Sequence, residues 1–588
     1  MKTKARQTMY PNNLKTIVGA LALVTAAPLP SLAQQTASNQ HADAAAPMLR
    51  AAPADAWRAL RVGLFIHWGP SSGKALPQSH SHARKSALNP SGSVPPEVYD
   101  QFYKEFNPTN YHPDVWLKLA HDAGMRYAVF VAKHHDGFCM FKTTATDYNI
   151  MATPYGKDVA AMFAAACRRQ GIALGWQISP KDWKHPDFNT ANHDRYNAYY
   201  EKLINELSAN YGPLSVMWFD GIEPAGPDKW KDTPARVAKL LRDRHPNIML
   251  GVHGGCAEDF LSFETMVAPF DRQQPWEMCE AINPSGWVFN QPMPPFPLRG
   301  LLRNLVYTVA RDGNYLLDVG PMPDGQLYPP DAERLGEIAA WMKINAEGIH
   351  GTRGGPYRDG EWGGATCKSN AVYLFLADRV GTNLTLPALA AKVRSARRLD
   401  GGPLEWKADN TALRLGMSDR AANQRPVFLG VKLELDRPAF SLPLVDGQLN
   451  LAATARLTPS SVHGSATPQR LFDNNGDTAW ETEPDDKVNS LEFDFGEPKL
   501  ISSLSLSERG QRESWNHAYR VELKARLDEH GEWQTVLKHT GTLGGPPILD
   551  FKAVRARFVR LEFGKFGSYP LEIAELRLFP PLEEPSER

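Results

Sequence analysis

The sequence predicts an α/β protein, a (β/α) TIM-like barrel followed by an all-β domain and a C-terminal β-sandwich, and three observations predict it. Short apolar runs alternate with longer amphipathic stretches over residues 55–355. From 356 to 454 the text changes to short stretches such as Asn370-Ala-Val-Tyr-Leu-Phe-Leu376, which read as an all-β domain. Over 455–580 polar and apolar residues alternate strictly in several runs, the signature of half-buried antiparallel strands in a sandwich.

The chain opens with Lys2, Lys4, Arg6 and Lys15, a short apolar core at 16–27 and small residues up to Ala33. A basic start, a short apolar run and a small-residue cleavage site predict a secretory signal peptide over 1–33, hence an exported protein, periplasmic or secreted. The apolar run is shorter than a bilayer requires, so no transmembrane segment is expected after cleavage. Residues 34–54, rich in Ala, Gln, Ser and Pro, read as a flexible lead-in. Cleavage removes four positive charges and no acidic ones, leaving the mature chain near net −4 from the balanced 65 basic and 65 acidic residues. No basic stripe marks a nucleic-acid partner.

In the barrel region, strands are expected at 61–66, 127–132, 172–177, 215–219, 247–252 and 314–319, with helices over 113–123, 159–169 and 196–208 between them and 331–343 at the end. Parallel strands buried on both faces read as continuous apolar runs, and a barrel keeps its chemistry at their carboxyl ends. Three runs end in polar side chains. Val216-Met-Trp-Phe219 ends in Asp220-Gly221, Val62-Gly-Leu-Phe-Ile66 in His67-Trp68-Gly69, and Tyr127 to Lys133 in His134-His135-Asp136-Gly137. Glycine beside each cluster lets the backbone turn sharply.

Sugar cleavage needs two carboxyl groups across the scissile bond and aromatic platforms for the ring. Asp220 supplies one carboxylate. The segments past the next strand, Glu258 to Glu264 and Pro275 to Cys279, offer its partner in Glu264, which follows Phe263, or Glu277, which follows Trp276. Either apolar neighbour suits a general acid, which has to hold its proton near neutral pH. Asp318, in the late run Asn314-Tyr-Leu-Leu-Asp-Val319, suits an orienting role. His134 and His135 are adjacent, and neighbours on an extended strand face opposite ways, so they serve as joint metal ligands only if the chain turns there. The five cysteines, Cys139, Cys167, Cys256, Cys279 and Cys367, have no metal-ligand spacing and resemble core residues, with export leaving room for one oxidised pair.

Taken together, the segments GLFIHWG (63–69), AKHHDGF (132–138), MWFDG (217–221), FETMVAP (263–269), WEMC (276–279) and NYLLDVGPMPDG (314–325) resemble the catalytic domain of glycoside hydrolase family 29, the retaining α-L-fucosidases. The resemblance implies exo-acting release of terminal L-fucose from a fucosylated oligosaccharide or glycoconjugate by double displacement, with no cofactor for catalysis. It implies Asp220 as nucleophile and Glu264, ahead of Glu277, as acid/base. His67, Trp68, His134, His135, Trp218 and Trp287 are the expected sugar-binding residues. One departure concerns a glutamate–tryptophan pair that the family usually presents after the first strand. This chain has Gly73 to Arg84 there with no such pair, which leaves the place to His80 or His82 and keeps a related sugar, such as an α-galactoside, as an alternative. A catalytically inactive exported glycan-binding protein is the non-enzyme alternative.

The last unit is similar to discoidin or coagulation-factor type C domains and to carbohydrate-binding modules of family 32, through LFDNNGDTAWET (471–482), FDFG (493–496), RFVRLEF (557–563) and LEIAELRLF (571–579). That likeness suggests a structural calcium on Asp473, Asn475, Asp477 and Thr478, or a hydrogen-bonded turn without one, and glycan contact through Arg509, Trp515 and Tyr569.

Overall fold

The computed structural model describes residues 51–582 except 79, 222–224, 253–254, 257, 420–425, 474, 477, 510–517, 542–546 and 566–569. Its first part is a ring of eight parallel strands: β1 (Val62–Ile66), β2 (Tyr127–Lys133), β3 (Ala173–Ile178), β4 (Val216–Phe219), β5 (Met249–Gly251), β6 (Leu261–Glu264), β7 (Trp276–Ala281) and β8 (Asn314–Val319). They run in the order β5-β4-β3-β2-β1-β8-β7-β6, and a parallel bridge from Gly251 to Phe260 joins the two ends into a barrel. At that seam Asp259 donates its amide to the Leu250 carbonyl at 2.7 Å and accepts from the Leu250 amide through Oδ2 at 2.9 Å. Gly251 is required there, because a Cβ would lie 2.5 Å from the Phe260 ring.

Alternation along each strand divides the side chains between two cores. Phe65, Val129, Val216, Trp218, Met249, Phe260, Cys279 and Leu316 pack inside the ring. Leu64, Ile66, Phe130, Met217, Phe219, Met278 and Leu317 pack outward against the helices. The helix Val159–Gln170 illustrates how those helices are set. Asp158 caps its N-terminus by accepting from the Ala161 amide at 3.1 Å, and Gly171 at φ 66° ends it in the left-handed region.

β6 and β7 occupy stretches that the apolar pattern assigns to carboxylate-bearing loops. The helix Ala51–Leu60 likewise replaces the last four residues of the expected lead-in. It buries Ala54 and Trp57 against the barrel, with the Trp57 ring 4.8 Å from that of Phe260.

Downstream, a five-stranded and a three-stranded antiparallel sheet share one core around Trp362, Leu374 and Val431. The final unit is a seven-stranded antiparallel sheet. Its longest strands, Ser490–Glu508 and Leu549–Lys565, are broken by bulges, so each serves more than one face of a core around Trp480, Phe493 and Leu561. Buried Arg311, at the end of the barrel helix Leu298–Ala310, donates to Asp359 at 2.8 Å and to Ser505 and Ser507 of that last unit, and Arg577 closes on the same Asp359 at 2.9 Å. The five cysteines are separate thiols, so no disulfide pair forms. No helix among the described residues is long and apolar enough to cross a membrane.

Candidate active site

Asp220 follows β4 directly. Because Val216 and Trp218 face the barrel interior, the next residue of that parity also faces inward, at the carboxyl end of the ring. Its side chain keeps 26% of its surface open. Oδ2 accepts from Gln177 Nε2 at 3.1 Å and lies 3.2 Å from His134 Nε2 and 3.4 Å from His135 Nε2. The two adjacent histidines therefore face one oxygen. β2 ends at Lys133, with an irregular register beside β3, and the chain turns through Gly137 at φ 79°. The expectation of opposite faces fails because the strand stops one residue short of them.

Buried Lys133 fastens this corner by donating to the carbonyls of Ser179 at 2.9 Å and Lys181 at 2.8 Å. Ser179 Oγ lies 2.6 Å from His135 Nδ1, and Ser81 Oγ contacts His134 Nδ1. For each Nε2–H to donate to the carboxylate, each Nδ1 accepts, so both serine hydroxyls donate to the rings. Burial pushes both imidazoles well below their ordinary pKa, which keeps them in this neutral form. Burial pushes Asp220 upward, but His135, Lys181, His82 and His67 outweigh it and hold the carboxyl below its usual range. Asp220 is thus ionised at neutral pH.

His67 Nδ1 lies 2.7 Å from Asp318 Oδ1 on β8. Burial raises Asp318 to about 6 against the pull of His67, and the contact fixes the ring's orientation. Trp287, half-buried, stands with its ring 5.3 Å from His67. His80 stacks on His134 at 4.3 Å, and the His82 ring is 5.4 Å from that of His135, so both histidines of the departing loop enter the mouth. Trp68 does not. Adjacent to inward His67, it turns outward among Phe106, Tyr111 and Trp116, and its indole donates to the Met322 carbonyl at 3.0 Å.

The two glutamates occupy different levels. Ser262 Oγ meets Cys279 Sγ at 3.8 Å, which marks Ser262 as inward; Glu264, two residues on, shares that face about 7 Å nearer the mouth and is exposed. Glu277 pairs in register with Ser262 and is fully buried at the floor. Trp218 Nε1 donates to its Oε1 at 2.7 Å and Tyr127 Oη to its Oε2 at 2.9 Å. Gly63 makes room for that tyrosine ring, since a Cβ would lie 2.4 Å from it. Burial lifts Glu277 to about 7, opposed by the two hydrogen bonds. The Trp218 indole binds it from the strand that ends in Asp220, so that residue roofs the floor carboxyl.

Gln177, Ser179, Lys181, Ser81 and Tyr127 were not among the expected site residues. Gln177 had a readable signal, a polar side chain inside the apolar run Ala173-Leu-Gly-Trp-Gln-Ile178. In the C-terminal unit, Asp473 accepts from the Asn475 amide at 2.9 Å and the Thr478 hydroxyl at 2.6 Å, so its oxygens serve the turn itself. Arg509 pairs with Glu481 and Glu572, both at 2.9 Å. Asp477, Trp515 and Tyr569 lie outside the described residues, as do residues 1–33.

A family model described as alpha-L-fucosidase matches residues 30–347, and one described as an F5/8 type C domain matches residues 456–576. Tissue alpha-L-fucosidase of Bos taurus is 28% identical over 371 residues, covering 56% of this chain and 76% of that protein. Alpha-L-fucosidase isoenzyme 1 from Paenibacillus thiaminolyticus is 30% identical with a TM-score of 0.58, over 66% of this chain and 99% of that one. A GH29 alpha-L-fucosidase from Bacteroides thetaiotaomicron, solved as a trapped covalent intermediate with 2-fluoro-fucosyl fluoride, shares the fold at a TM-score of 0.59 and 21% identity, over 65% and 96% of the two chains. The matched family model spans the whole barrel, from before β1 to beyond β8, and the chain belongs to the alpha-L-fucosidase family of glycoside hydrolases.

Proposed function

We propose that this protein is an exo-acting, retaining α-L-fucosidase, with Asp220 as nucleophile and Glu264 as acid/base. The observation that carries the reading is the Asp220 carboxylate, open at the barrel mouth and held ionised, with Gln177, His134 and His135 on Oδ2 and no such contact on Oδ1 among the described residues.

In the first inversion an Asp220 oxygen bonds to the anomeric carbon as the bond to the leaving oxygen breaks, and Glu264 delivers its proton to that oxygen. In the second, Glu264 takes a proton from water, the water oxygen bonds to the anomeric carbon and Asp220 is released. The two carboxyl groups of a retaining pair stand about 5–5.5 Å apart. The covalent intermediate trapped in the Bacteroides thetaiotaomicron fucosidase supports the same route here. Glu277 is set aside as acid/base because a sugar at the mouth meets Trp218 before it.

His67, His134, His135 and Trp287 would grip the sugar, with Trp218 beneath it. Trp68 drops out of that set. A second sugar stays in play because the loop after β1 brings His80 and His82 beside His134 and His135 and carries no glutamate–tryptophan pair, which changes the donors facing the ring. The F5/8 type C unit would contact the glycan beyond the cleaved residue, and the turn at Asp473 reads as hydrogen-bonded rather than calcium-built. Export to the periplasm or beyond follows from the signal-like residues 1–33.

Release of 4-nitrophenol from the α-L-fucoside, compared with the α- and β-galactosides and followed by NMR for the first-formed anomer, tests the reading. Fucoside turnover with α-fucose formed first is the expected result. Turnover of a galactoside alone would move the substrate, and β-fucose formed first would overturn retention.

A further inference from the structure

The turn that delivers two histidines to Asp220 also gathers the donor atoms of a metal site. The Nε2 atoms of His134 and His135 sit 3.2 and 3.4 Å from one oxygen of Asp220, so two nitrogens and a carboxylate oxygen converge on a small volume. His82 supplies a third nitrogen, with one ligand atom from each of the three histidines within 4.8 Å of the others. Three imidazole nitrogens form a set suited to borderline-soft divalent ions, with the Asp220 oxygen beside two of them.

The surroundings complete it. Ser81 and Ser179 already touch the Nδ1 atoms of His134 and His135, the positions from which outer partners orient metal-bound imidazoles. Binding would move each ring proton from Nε2 to Nδ1 and turn each serine hydroxyl from donor to acceptor, with no net proton released. His80, 94% buried and stacked on His134, has neither ring nitrogen paired among the described residues, an expensive state for a group that no ligand uses.

The geometry points to a site for Zn2+, Cu2+ or Ni2+ on His82, His134 and His135 beside Asp220, occupied in competition with the sugar. An ion there takes both imidazoles that hold the Asp220 oxygen, so it silences the enzyme reversibly. Mg2+ and Ca2+ do not compete, because hard cations demand oxygen ligands. His82 lies on the loop after β1, within the stretch Gly73 to Arg84 that lacks the glutamate–tryptophan pair expected there.

Titration of the untagged full chain with Co2+ tests this directly. The expected result is a visible absorption band of four-coordinate Co2+ that saturates at one equivalent, bleaches with Zn2+ and ignores excess Mg2+. His82→Ala, at an exposed position and checked for native circular dichroism, is expected to weaken binding by more than about tenfold. No band in the parent chain, or a band equally strong in His82→Ala, overturns the proposal. The band is independent of sugar specificity, so a failed fucoside assay leaves this result standing, and the reverse also holds.

Discussion

The mouth and the floor of the barrel both carry an inward glutamate, and the proposed chemistry uses only the one at the mouth. Glu264 ends β6 in the open, whereas Glu277 sits at the level of Ser262, covered by the Trp218 indole and the Tyr127 hydroxyl. Both have the parity of a catalytic carboxyl. Height along the strand separates them, because a sugar reaches the carboxyl ends of barrel strands and nothing below the first closed layer. The floor carboxyl is instead a polar plug, satisfied by two donors and raised to about 7 by burial.

Breaking the mouth should cost most. Asp220→Ala is expected to lower kcat by about 10⁴-fold or more, since no covalent intermediate can form. Glu264→Ala is expected to lower it by about 10²–10⁴-fold on substrates with poor leaving groups, whereas on an activated aryl fucoside azide restores turnover and gives the α-fucosyl azide that two inversions require. Glu277→Gln should leave kcat within about threefold, because the amide keeps an acceptor for Trp218 and never meets substrate. Azide rescue in Glu277→Ala and none in Glu264→Ala would reverse the comparison.

His135→Ala removes one donor from Asp220 and should cost about tenfold in kcat/KM, the worth of a charge-assisted hydrogen bond. His135 helps hold the Asp220 carboxyl below its usual range, so its loss raises that pKa and moves the acid limb of the pH–rate profile to higher pH. A profile that stays in place would separate the ring from the carboxylate's ionisation.

The floor should answer in stability. Glu277 titrates near 7 when folded against an ordinary 4.5, so between those values the native protein holds a proton that the unfolded chain has lost. Stability therefore falls as pH rises from about 4.5 to 7, by at most about 3 kcal/mol for this group. Glu280, also raised to about 7, adds to the same trend. Denaturant melts at pH 5 and 8 should show a smaller pH penalty in Glu277→Gln than in the parent; an equal penalty would place the proton elsewhere. The smallest effect is expected at Asp473, whose oxygens are already used by its turn: EDTA should shift Tm by less than about 1 °C.

The barrel and the place of Asp220 at the end of β4 were legible in the sequence because β1, β2, β4 and β8 are buried on both faces and write themselves as unbroken apolar runs. β6 and β7 were not, because their inward positions hold Ser262, Glu264, Glu277 and Cys279, and that polar lining erases the run that marks a parallel strand. Trp68 was misplaced for a readable reason, since a residue next to an inward histidine on a strand faces out. The convergence of His134 and His135 was hidden, because it depends on where β2 stops, and strand ends are the least determined feature of an apolar run.

The identity of the carboxylate that bonds to sugar decides between mouth and floor most directly. Incubating the Glu264→Gln protein with 2-fluoro-fucosyl fluoride, followed by intact mass and peptide mapping, is predicted to give one adduct per chain on Asp220, within the peptide that contains Val216–Gly221. An adduct on Glu277 or on any other residue, or turnover with inversion and no adduct, would contradict it.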